Sequence, residues 1–281
     1  MFPIKDSDIL IIAGPCLGES LSIMDEVASA LVELSKSLKF SFIFKTSFDK
    51  ANRQSIESYR GPGTDHVLSW FAEIQRRYAC KTITDVHETQ QVRAVSSVVD
   101  ALQIPAFLCR QTDLVTEAIK SGKFVNIKKG QFMSPYAMSH VVSKARKAAE
   151  DAGINPLLAL TERGACFGYS DLVVDMRSFA IMARSQVPLI FDITHSTQRP
   201  GNTADSSSSY TREFAPVLAR AAAATGKLSG FYLEVHPKPA LAKSDAGAQL
   251  SISQAQSLLQ QIVPLLRQAK ELQKIDEAFT A

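Results

Sequence analysis

Short apolar runs alternate along the chain with segments of helical periodicity. Eight runs have the length and β-branched content of buried strands, and they cover residues 9–13, 40–44, 82–84, 101–104, 124–127, 157–160, 189–193 and 231–233. Between them, a 3.6-residue apolar repeat predicts helices over segments that include 21–38, 65–77 and 140–149. This regular alternation is typical of parallel strands joined by crossover helices.

Eight strand–helix units in 281 residues favour a closed (β/α)8 TIM barrel of the α/β class. An open, doubly wound sheet is the alternative that the same alternation allows. A loop at 201–210, rich in Gly, Ser, Asn and Asp, is the nearest approach to a break in the pattern, and no linker or low-complexity tract divides the chain. The sequence therefore predicts one domain over residues 1–281.

Nearly every predicted strand ends in a side chain that can take part in chemistry. The residues at or just after the eight strand ends are Cys16, Lys45, Asp85 with His87, Gln103 with Arg110, Lys128, Glu162 with Arg163, Asp192 with His195, and Glu234 with His236. Turns that only redirect the chain favour Gly, Asn and Ser instead. Because the carboxyl ends of barrel strands form one face, where TIM-barrel active sites lie, we expect these side chains to share one site.

Composition and charge narrow the class of ligand. The 31 basic and 28 acidic side chains leave a formal net charge of only +3, and neither sign forms a long block, which argues against a polybasic nucleic-acid-binding protein. No apolar run approaches the roughly 18 residues of a membrane span, and the first ten residues lack a signal-peptide core, so we expect a cytoplasmic protein without membrane contact. Six cations expected near one face nevertheless predict phosphorylated small-molecule ligands. They are Lys45, Lys50, Arg53, Arg110, Lys128 and Arg163.

A metal site is a second hypothesis from the strand ends. The four cysteines form no CxxC pair, and each alone is more typical of a small buried apolar residue than of a reactive thiolate. Barrel closure, however, would bring Cys16, His195 and Glu234 to neighbouring strand ends, with Asp245 in the following loop. This mixed donor set suits zinc, ferrous iron or manganese. By position alone, His87 and His236 compete with His195.

Ten sequence blocks carry a more specific signal. They are IAGPC (12–16), FDKANR (48–53), YRGPG (59–63), TDVHE (84–88), QIPAFLCRQTDL (103–114), VNIKKGQF (125–132), TERGACFGY (161–169), LVVDMRS (172–178), FDITHS (191–196) and EVHPKPALAKSDA (234–246). In this order they resemble the 3-deoxy-D-manno-octulosonate 8-phosphate synthases over nearly the whole chain. The related 3-deoxy-D-arabino-heptulosonate 7-phosphate synthases typically carry a KPRTS-like segment where this chain has KANR at 50–53.

The resemblance implies an enzyme that condenses phosphoenolpyruvate with D-arabinose 5-phosphate and water, releases phosphate, and serves lipopolysaccharide synthesis. It implies a phosphoenolpyruvate site made by Lys50, Ala106, Phe107, Lys128 and Arg163. The sugar phosphate would be held by Asn52, Arg53 and an Arg110 that reaches across from a neighbouring subunit of a homotetramer. Lys45, Ser47, Asp85, Gln103 and Gln131 complete the pocket, and the residues assigned to catalysis are Lys50, Asn52, Lys128 and Asp245.

Cys16 decides the metal class within this resemblance, because metal-dependent members have Cys at this position and metal-independent members have Asn. The implied ligands of a divalent metal ion are Cys16, His195, Glu234 and Asp245, and the ion would orient the aldehyde or the attacking water as a Lewis acid. The chain departs from the family at Gln54, where Ser is usual, and at the serines of 206–209, where a Gly-rich turn is usual. We expect altered sugar-phosphate contacts and altered loop closure there.

Two other functions are compatible with the same barrel. One is the same condensation with erythrose 4-phosphate as the aldose, against which the KANR segment weighs. The other is a barrel that binds phosphorylated sugars without turnover. The presence of both phosphate-binding sets and of all four candidate metal ligands weighs against this second alternative.

Overall fold

The computed structural model describes residues 9–53, 55–166, 168, 171–199 and 212–273. Strands and α-helices alternate throughout these residues. The strands are β1 (Leu10–Gly14), β2 (Ser41–Lys45), β3 (Lys81–Asp85), β4 (Ala101–Ile104), β5 (Phe124–Lys128), β6 (Leu158–Glu162), β7 (Leu189–Asp192) and β8 (Gly230–Glu234). The helices are α1 (Leu21–Leu38), α2 (Thr64–Tyr78), α3 (Thr89–Ser96), α4 (Thr112–Lys120), α5 (Met138–Asp151), α6 (Arg177–Ala183), α7 (Ala215–Ala224) and α8 (Ile252–Leu272).

The parallel sheet closes on itself. Each strand pairs with the next, and β1 also pairs with β8, with Leu10 opposite Gly230 and Gly14 opposite Glu234. The predicted (β/α)8 barrel is therefore confirmed, and the open sheet is wrong. Each predicted strand lies within two residues of an observed one, and the helix predicted over 21–38 has the bounds of α1.

The helices cover the outside of the barrel with one apolar face each. In α1, Met24, Val27, Ala28 and Leu31 are fully buried at the spacing of adjacent helical turns. The helix begins after Ser20, whose hydroxyl accepts a hydrogen bond from the Ile23 N–H at 3.3 Å. None of the described helices combines the length and the apolar character that crossing a membrane requires.

A separate apolar layer fills the lower, N-terminal part of the barrel interior. Its members are Leu10, Ile12, Ile43, Ile83, Ala101, Phe124, Ala159, Ile190 and Tyr232. Alternate strand residues point to opposite faces, so the residues two and four positions further along point inward as well. The next inward-facing residues of each strand, two and four positions further along, therefore line the upper part of the interior.

Gly230 stands where β8 passes closest to β1. A Cβ on Gly230 would lie 1.8 Å from the Leu10 carbonyl oxygen, which no rotation of a side chain could relieve. We expect Gly230→Ala to lower the free energy of unfolding by roughly 3 kcal/mol, since the strands must move apart. Denaturation in urea measures the loss.

Gly122→Ala is the matched control. Gly122 has φ +71 and open space around its Cα, so alanine there meets only the cost of left-handed backbone, roughly 1–2 kcal/mol. Equal losses in the two variants would contradict the close-approach explanation for Gly230.

Candidate active site

The mouth of the barrel, its C-terminal end, is lined by the inward-facing residues that follow the apolar layer. Two residues beyond Ile43, Ile83, Ala101, Ile190 and Tyr232 stand Lys45, Asp85, Gln103, Asp192 and Glu234, and all five are buried. Asn126 and Lys128 follow Phe124 in the same phase, and Thr161 and Arg163 follow Ala159. Cys16 follows Ile12 by four residues. Because inward-facing residues recur at every second position, the apolar layer is followed along the strands by polar side chains at the mouth.

A chain of hydrogen bonds, here called the polar chain, links four strands, β6 to β3, and the loop after β2 at the base of this site. The Thr161 hydroxyl donates to Asn126 Oδ1 at 2.7 Å, and Asn126 Nδ2 donates to Gln103 Oε1 at 3.1 Å. Gln103 Nε2 then donates to Asp85 Oδ1, and the Ser47 hydroxyl donates to Asp85 Oδ2. Every donor along the chain points toward the Asp85 carboxylate, so the orientation of both amide groups is fixed.

Two lysines complete this polar chain on the β2 side. Lys45 Nζ and Lys50 Nζ each donate to the Ser47 hydroxyl oxygen at 3.0 Å. Burial by itself raises the pKa of Asp85, but the charges of Lys45 and Lys50 outweigh it and lower the pKa well below the usual range. Burial by itself lowers the pKa of Lys50, but the surrounding acidic groups, Cys16 and Glu234 first, raise it above its usual value. Asp85 is therefore ionised and Lys50 protonated at neutral pH.

Cys16, Glu234 and Asp245 form a cluster in which one ligand atom of each lies within 4.8 Å of the others. Cys16 Sγ lies 3.1 Å from Asp245 Oδ2. His195 Nε2 lies 3.6 Å from Glu234 Oε1 and 3.7 Å from Asp245 Oδ2. The adjacency of β1, β8 and β7 brings Cys16, Glu234, Asp245 and His195 to one side of the mouth.

Three observations fit this cluster to a divalent metal ion. Glu234 Oε2 is buried and has no hydrogen-bond partner among the described residues. His195 Nδ1 lies 2.8 Å from Asp192 Oδ2, an arrangement that leaves Nε2 directed at the carboxylates, as in histidines that ligate metals. Burial, then the negative charges of Asp245 and Glu234, raise the pKa of Cys16 well above its usual value, and a cation at this point would reverse that effect.

The loop after β8 holds the cluster in place. Gln249 Oε1 accepts a hydrogen bond from the Cys16 N–H at 3.1 Å, and Gln249 Nε2 donates to the Ser244 carbonyl at 2.8 Å. The Ser244 hydroxyl lies 3.1 Å from Cys16 Sγ. Asp245 has φ +48, left-handed backbone that Asp tolerates better than most residues. Residues near both ends of the chain are thereby fixed to each other.

Lys128 lies beside His195, Asp192 and the Tyr232 ring. Its Nζ is 2.7 Å from Asp192 Oδ2 and 3.5 Å from the centroid of the Tyr232 ring. The Tyr232 hydroxyl donates to Glu234 Oε1 at 2.9 Å, and Lys45 Nζ donates to the same oxygen at 3.2 Å. Burial lowers the pKa of Lys128, and the negative charge of Asp192 opposes that effect. The buried lysines are thus paired with carboxylates, so the cationic mouth expected from the sequence is close to charge balance.

Arg163 and Gln131 approach the mouth from the loops that follow β6 and β5. Arg163 is buried, and its Nη2 donates to the His195 carbonyl at 3.3 Å and to Gln198 Oε1. Gln131 is 9% exposed, and its Oε1 has no hydrogen-bond partner among the described residues. Arg163 therefore lies close to Lys128, since both contact His195, and Gln131 lies in the loop directly after Lys128.

The remaining predicted substrate residues lie further out. Asn52, Phe107 and Arg110 are exposed, whereas Ala106 is buried. Arg53 joins two loops, because its Nη2 donates to the Lys243 carbonyl at 2.9 Å, two residues before Asp245. Gln54 and the loop at 201–210, where the sequence departs from the family, lie outside the described residues.

Sequence reasoning missed several side chains that build this site. Asn126 and Tyr232 stand inside predicted strands, Thr161 belongs to β6 just beyond the predicted strand 157–160, and Ser244 and Gln249 lie in the loop after β8. Glu162 was grouped with the strand-end residues of the mouth, but it is out of phase with Thr161 and Arg163 and pairs with Lys129 instead. Counting in steps of two from each apolar floor residue would have found Asn126 and Thr161 and excluded Glu162.

Because every donor of the polar chain points toward Asp85, Asn126 must present its N–H to Gln103, and an oxygen in place of that N–H would not be tolerated. After Asn126→Asp, an oxygen would face Gln103 Oε1, and a flipped Gln103 would instead turn its oxygen toward Asp85. We expect a loss of roughly 2–4 kcal/mol in unfolding free energy, measured by urea denaturation at neutral pH.

Thr161→Val serves as the comparison for Asn126→Asp, because it removes only the first donor of the polar chain and should cost about 1 kcal/mol. An Asn126→Asp protein no less stable than Thr161→Val would show that the amide orientations are not fixed.

Comparison with known proteins identifies the family of the chain. The sequence model of the DAHP synthetase I family matches residues 4–271. A protein of Burkholderia mallei (strain SAVP1) named 2-dehydro-3-deoxyphosphooctonate aldolase is 46% identical over 275 residues, 98% of this chain and 96% of the relative. A protein of the same name from Verminephrobacter eiseniae (strain EF01-2) is 49% identical over 258 residues, 92% of this chain and 90% of the relative. The chain therefore belongs to the DAHP synthetase I family.

Proposed function

We propose that the protein is a 2-dehydro-3-deoxyphosphooctonate aldolase. It condenses phosphoenolpyruvate with D-arabinose 5-phosphate and water, and it releases inorganic phosphate. The other product, 3-deoxy-D-manno-octulosonate 8-phosphate, provides the eight-carbon sugar acid of lipopolysaccharide. The observation that carries the proposal is the 46% identity to relatives of that name over 98% of this chain. The buried, charge-paired mouth of the barrel supports it, because both organic substrates are anions.

Phosphoenolpyruvate would bind beside β5 and β6. Lys128 and Arg163 are buried there, and both lie beside His195, since Lys128 Nζ is 3.5 Å from His195 Nδ1 and Arg163 donates to the His195 carbonyl. Lys50, which follows β2 at the other end of the polar chain, would neutralise the carboxylate or phosphate of phosphoenolpyruvate. Ala106 and Phe107, in the loop after β4, would contact the phosphate. An incoming anion must compete with Asp192 for Lys128, so binding exchanges one ion pair for another.

Arabinose 5-phosphate would bind toward the outer loops. Asn52 and Arg53 lie two and three residues after Lys50, and the exposure of Asn52 suits a phosphate group at the far end of a sugar. Arg110 would arrive from a neighbouring subunit of a homotetramer, and its exposure in the single chain supports that role. The homotetramer and the cytoplasmic location stay predictions.

The reaction can be written from these positions. C3 of phosphoenolpyruvate bonds to the aldehyde carbon with the electron pair of the enol double bond, and the aldehyde oxygen takes up a proton. Water bonds to C2 and loses a proton, and the resulting hemiketal phosphate breaks its C–O bond, so that phosphate leaves with the bridging oxygen. Holding two anions side by side is the main task, since they repel each other in solution.

Individual residues would then have distinct tasks. Lys50 and Lys128 stabilise negative charge on phosphoenolpyruvate as it reacts. Asn52 orients the sugar. The polar base of the site, beneath both substrates, is formed by Lys45, Ser47, Asp85 and Gln103. Cys16, His195, Glu234 and Asp245 would hold the divalent ion, with Asp245 also close enough to the mouth to take a proton. When bound, zinc, ferrous iron or manganese supplies Lewis acidity toward the aldehyde or the attacking water.

The choice of aldose tests this function directly. We expect phosphate release from phosphoenolpyruvate to be faster with arabinose 5-phosphate than with erythrose 4-phosphate by about tenfold or more, since the KANR segment carries the sugar contacts. Release with the four-carbon sugar alone would favour the heptulosonate synthase, which the family's description also allows. Binding of both substrates without release would favour a non-catalytic barrel.

The metal hypothesis is tested by Cys16→Ser. Replacing a soft thiolate donor by a hydroxyl should lower the affinity for zinc by about tenfold or more and reduce the metal retained per chain, measured by elemental analysis after dialysis against a chelator. Cys80→Ser is the control, because Cys80 is a half-buried residue between α2 and β3. Equal metal content in both variants, or full phosphate release from stripped wild-type protein, would remove Cys16 from the ligand set.

A further inference from the structure

Lys129 follows Lys128 directly but faces away from the barrel mouth. Lys128 points inward to Tyr232, whereas Lys129 Nζ lies 3.5 Å from Glu162 Oε2. Each of Lys129 and Glu162 is 1% exposed, so this is an ion pair buried outside the substrate site. Burial raises the pKa of Glu162, and the Lys129 charge offsets part of that effect. A buried pair of this kind needs further polar contacts to be tolerated.

Those contacts join two loops of the mouth. Lys129 Nζ donates to the carbonyls of Gly130 and Met133, both at 3.3 Å, in the loop after β5. It also donates to the Gly164 carbonyl at 3.2 Å, in the loop after β6. Glu162 Oε1 accepts a hydrogen bond from the Gly164 N–H at 2.6 Å. The ion pair therefore holds Gly164 by both of its backbone polar groups.

The two loops carry side chains of the mouth on either side of these contacts. Gln131 lies between Gly130 and Met133, and Arg163 immediately precedes Gly164. A direct bond supplements the ion pair, because the Cys166 N–H donates to the Gln131 carbonyl at 3.0 Å. A movement of either loop would shift Gln131 or Arg163 relative to Lys128.

We infer that Lys129, paired with Glu162, is a positioning residue that sets the spacing of Lys128, Gln131 and Arg163. The identity of the ligand, phosphoenolpyruvate, rests on the proposed function, but the connection between the loops does not. Lys129 touches no substrate and acts through the carbonyls that it binds. Its loss should therefore weaken one substrate site and leave the other intact.

Hydrogen exchange tests the loop connection without reference to activity. We expect Lys129→Met to increase amide exchange at 130–133 and 163–166 by about tenfold or more, because three carbonyls lose their shared donor. Lys120→Met, the same substitution at an exposed lysine at the end of α4, should leave these segments as in the wild type. Unchanged exchange in Lys129→Met would overturn the inference whether or not the protein is active.

Kinetics then test the effect on the site. We expect Lys129→Met to raise KM for phosphoenolpyruvate by about tenfold to a hundredfold, since displacements near 1 Å have effects of this size, with KM for arabinose 5-phosphate nearly unchanged. Lys129→Met with Glu162→Gln removes the stranded charge and should recover thermal stability without recovering KM. Recovery of both, or equal changes in the two KM values, would mean that Lys129 is only a stability residue. An inactive wild type would contradict the proposed function alone, and the exchange result would still decide the role of Lys129.

Discussion

Charges that are buried without water must be compensated by other charges and by hydrogen bonds, and the mouth of this barrel satisfies that requirement almost entirely from within the chain. In the mouth, Lys45 is paired with Glu234 and Lys128 with Asp192, and just outside it Lys129 is paired with Glu162; all six are nearly inaccessible to solvent. Removing one partner of such a pair leaves a charge that the interior cannot solvate. The arrangement of the strand ends is therefore determined jointly by all of these residues.

This compensation has a chemical purpose under the proposed function. A pocket of unpaired lysines would be unstable before the substrates arrive, whereas a pocket of paired lysines is stable and can exchange its carboxylates for phosphate groups. The polar chain from Thr161 to Asp85 adds a second fixed element, since its donors point in one direction. Substrate anions then meet dipoles and charges that are already oriented, which is the condition for electrostatic stabilisation of a reacting group.

The fold could be predicted from the sequence because its signals are local and repeated. Strands and helices each carry a local apolar pattern, and eight such units favour the closed barrel that the structure has. The proximity of Cys16, His195 and Glu234 could be predicted in outline, since barrel closure makes β1, β7 and β8 neighbours. The ion pairs could not be predicted, because the pairing of Lys128 with Asp192 and of Lys129 with Glu162 depends on which residues of each strand face inward and on the paths of the loops. Adjacent lysines with opposite directions look identical in a sequence until the first inward residue of β5 is known.

The contact between Cys16 and Asp245 spans 229 positions of the chain. A ribosome must therefore synthesise the chain through Asp245 before these two side chains can meet, and β8 must be in place beside β1. Until that moment the thiol at the first strand end lacks its oxygen neighbours and cannot belong to a complete ligand set. Under the proposed function, metal capture is thus a late event in the life of the nascent chain, and it reports that the barrel has closed.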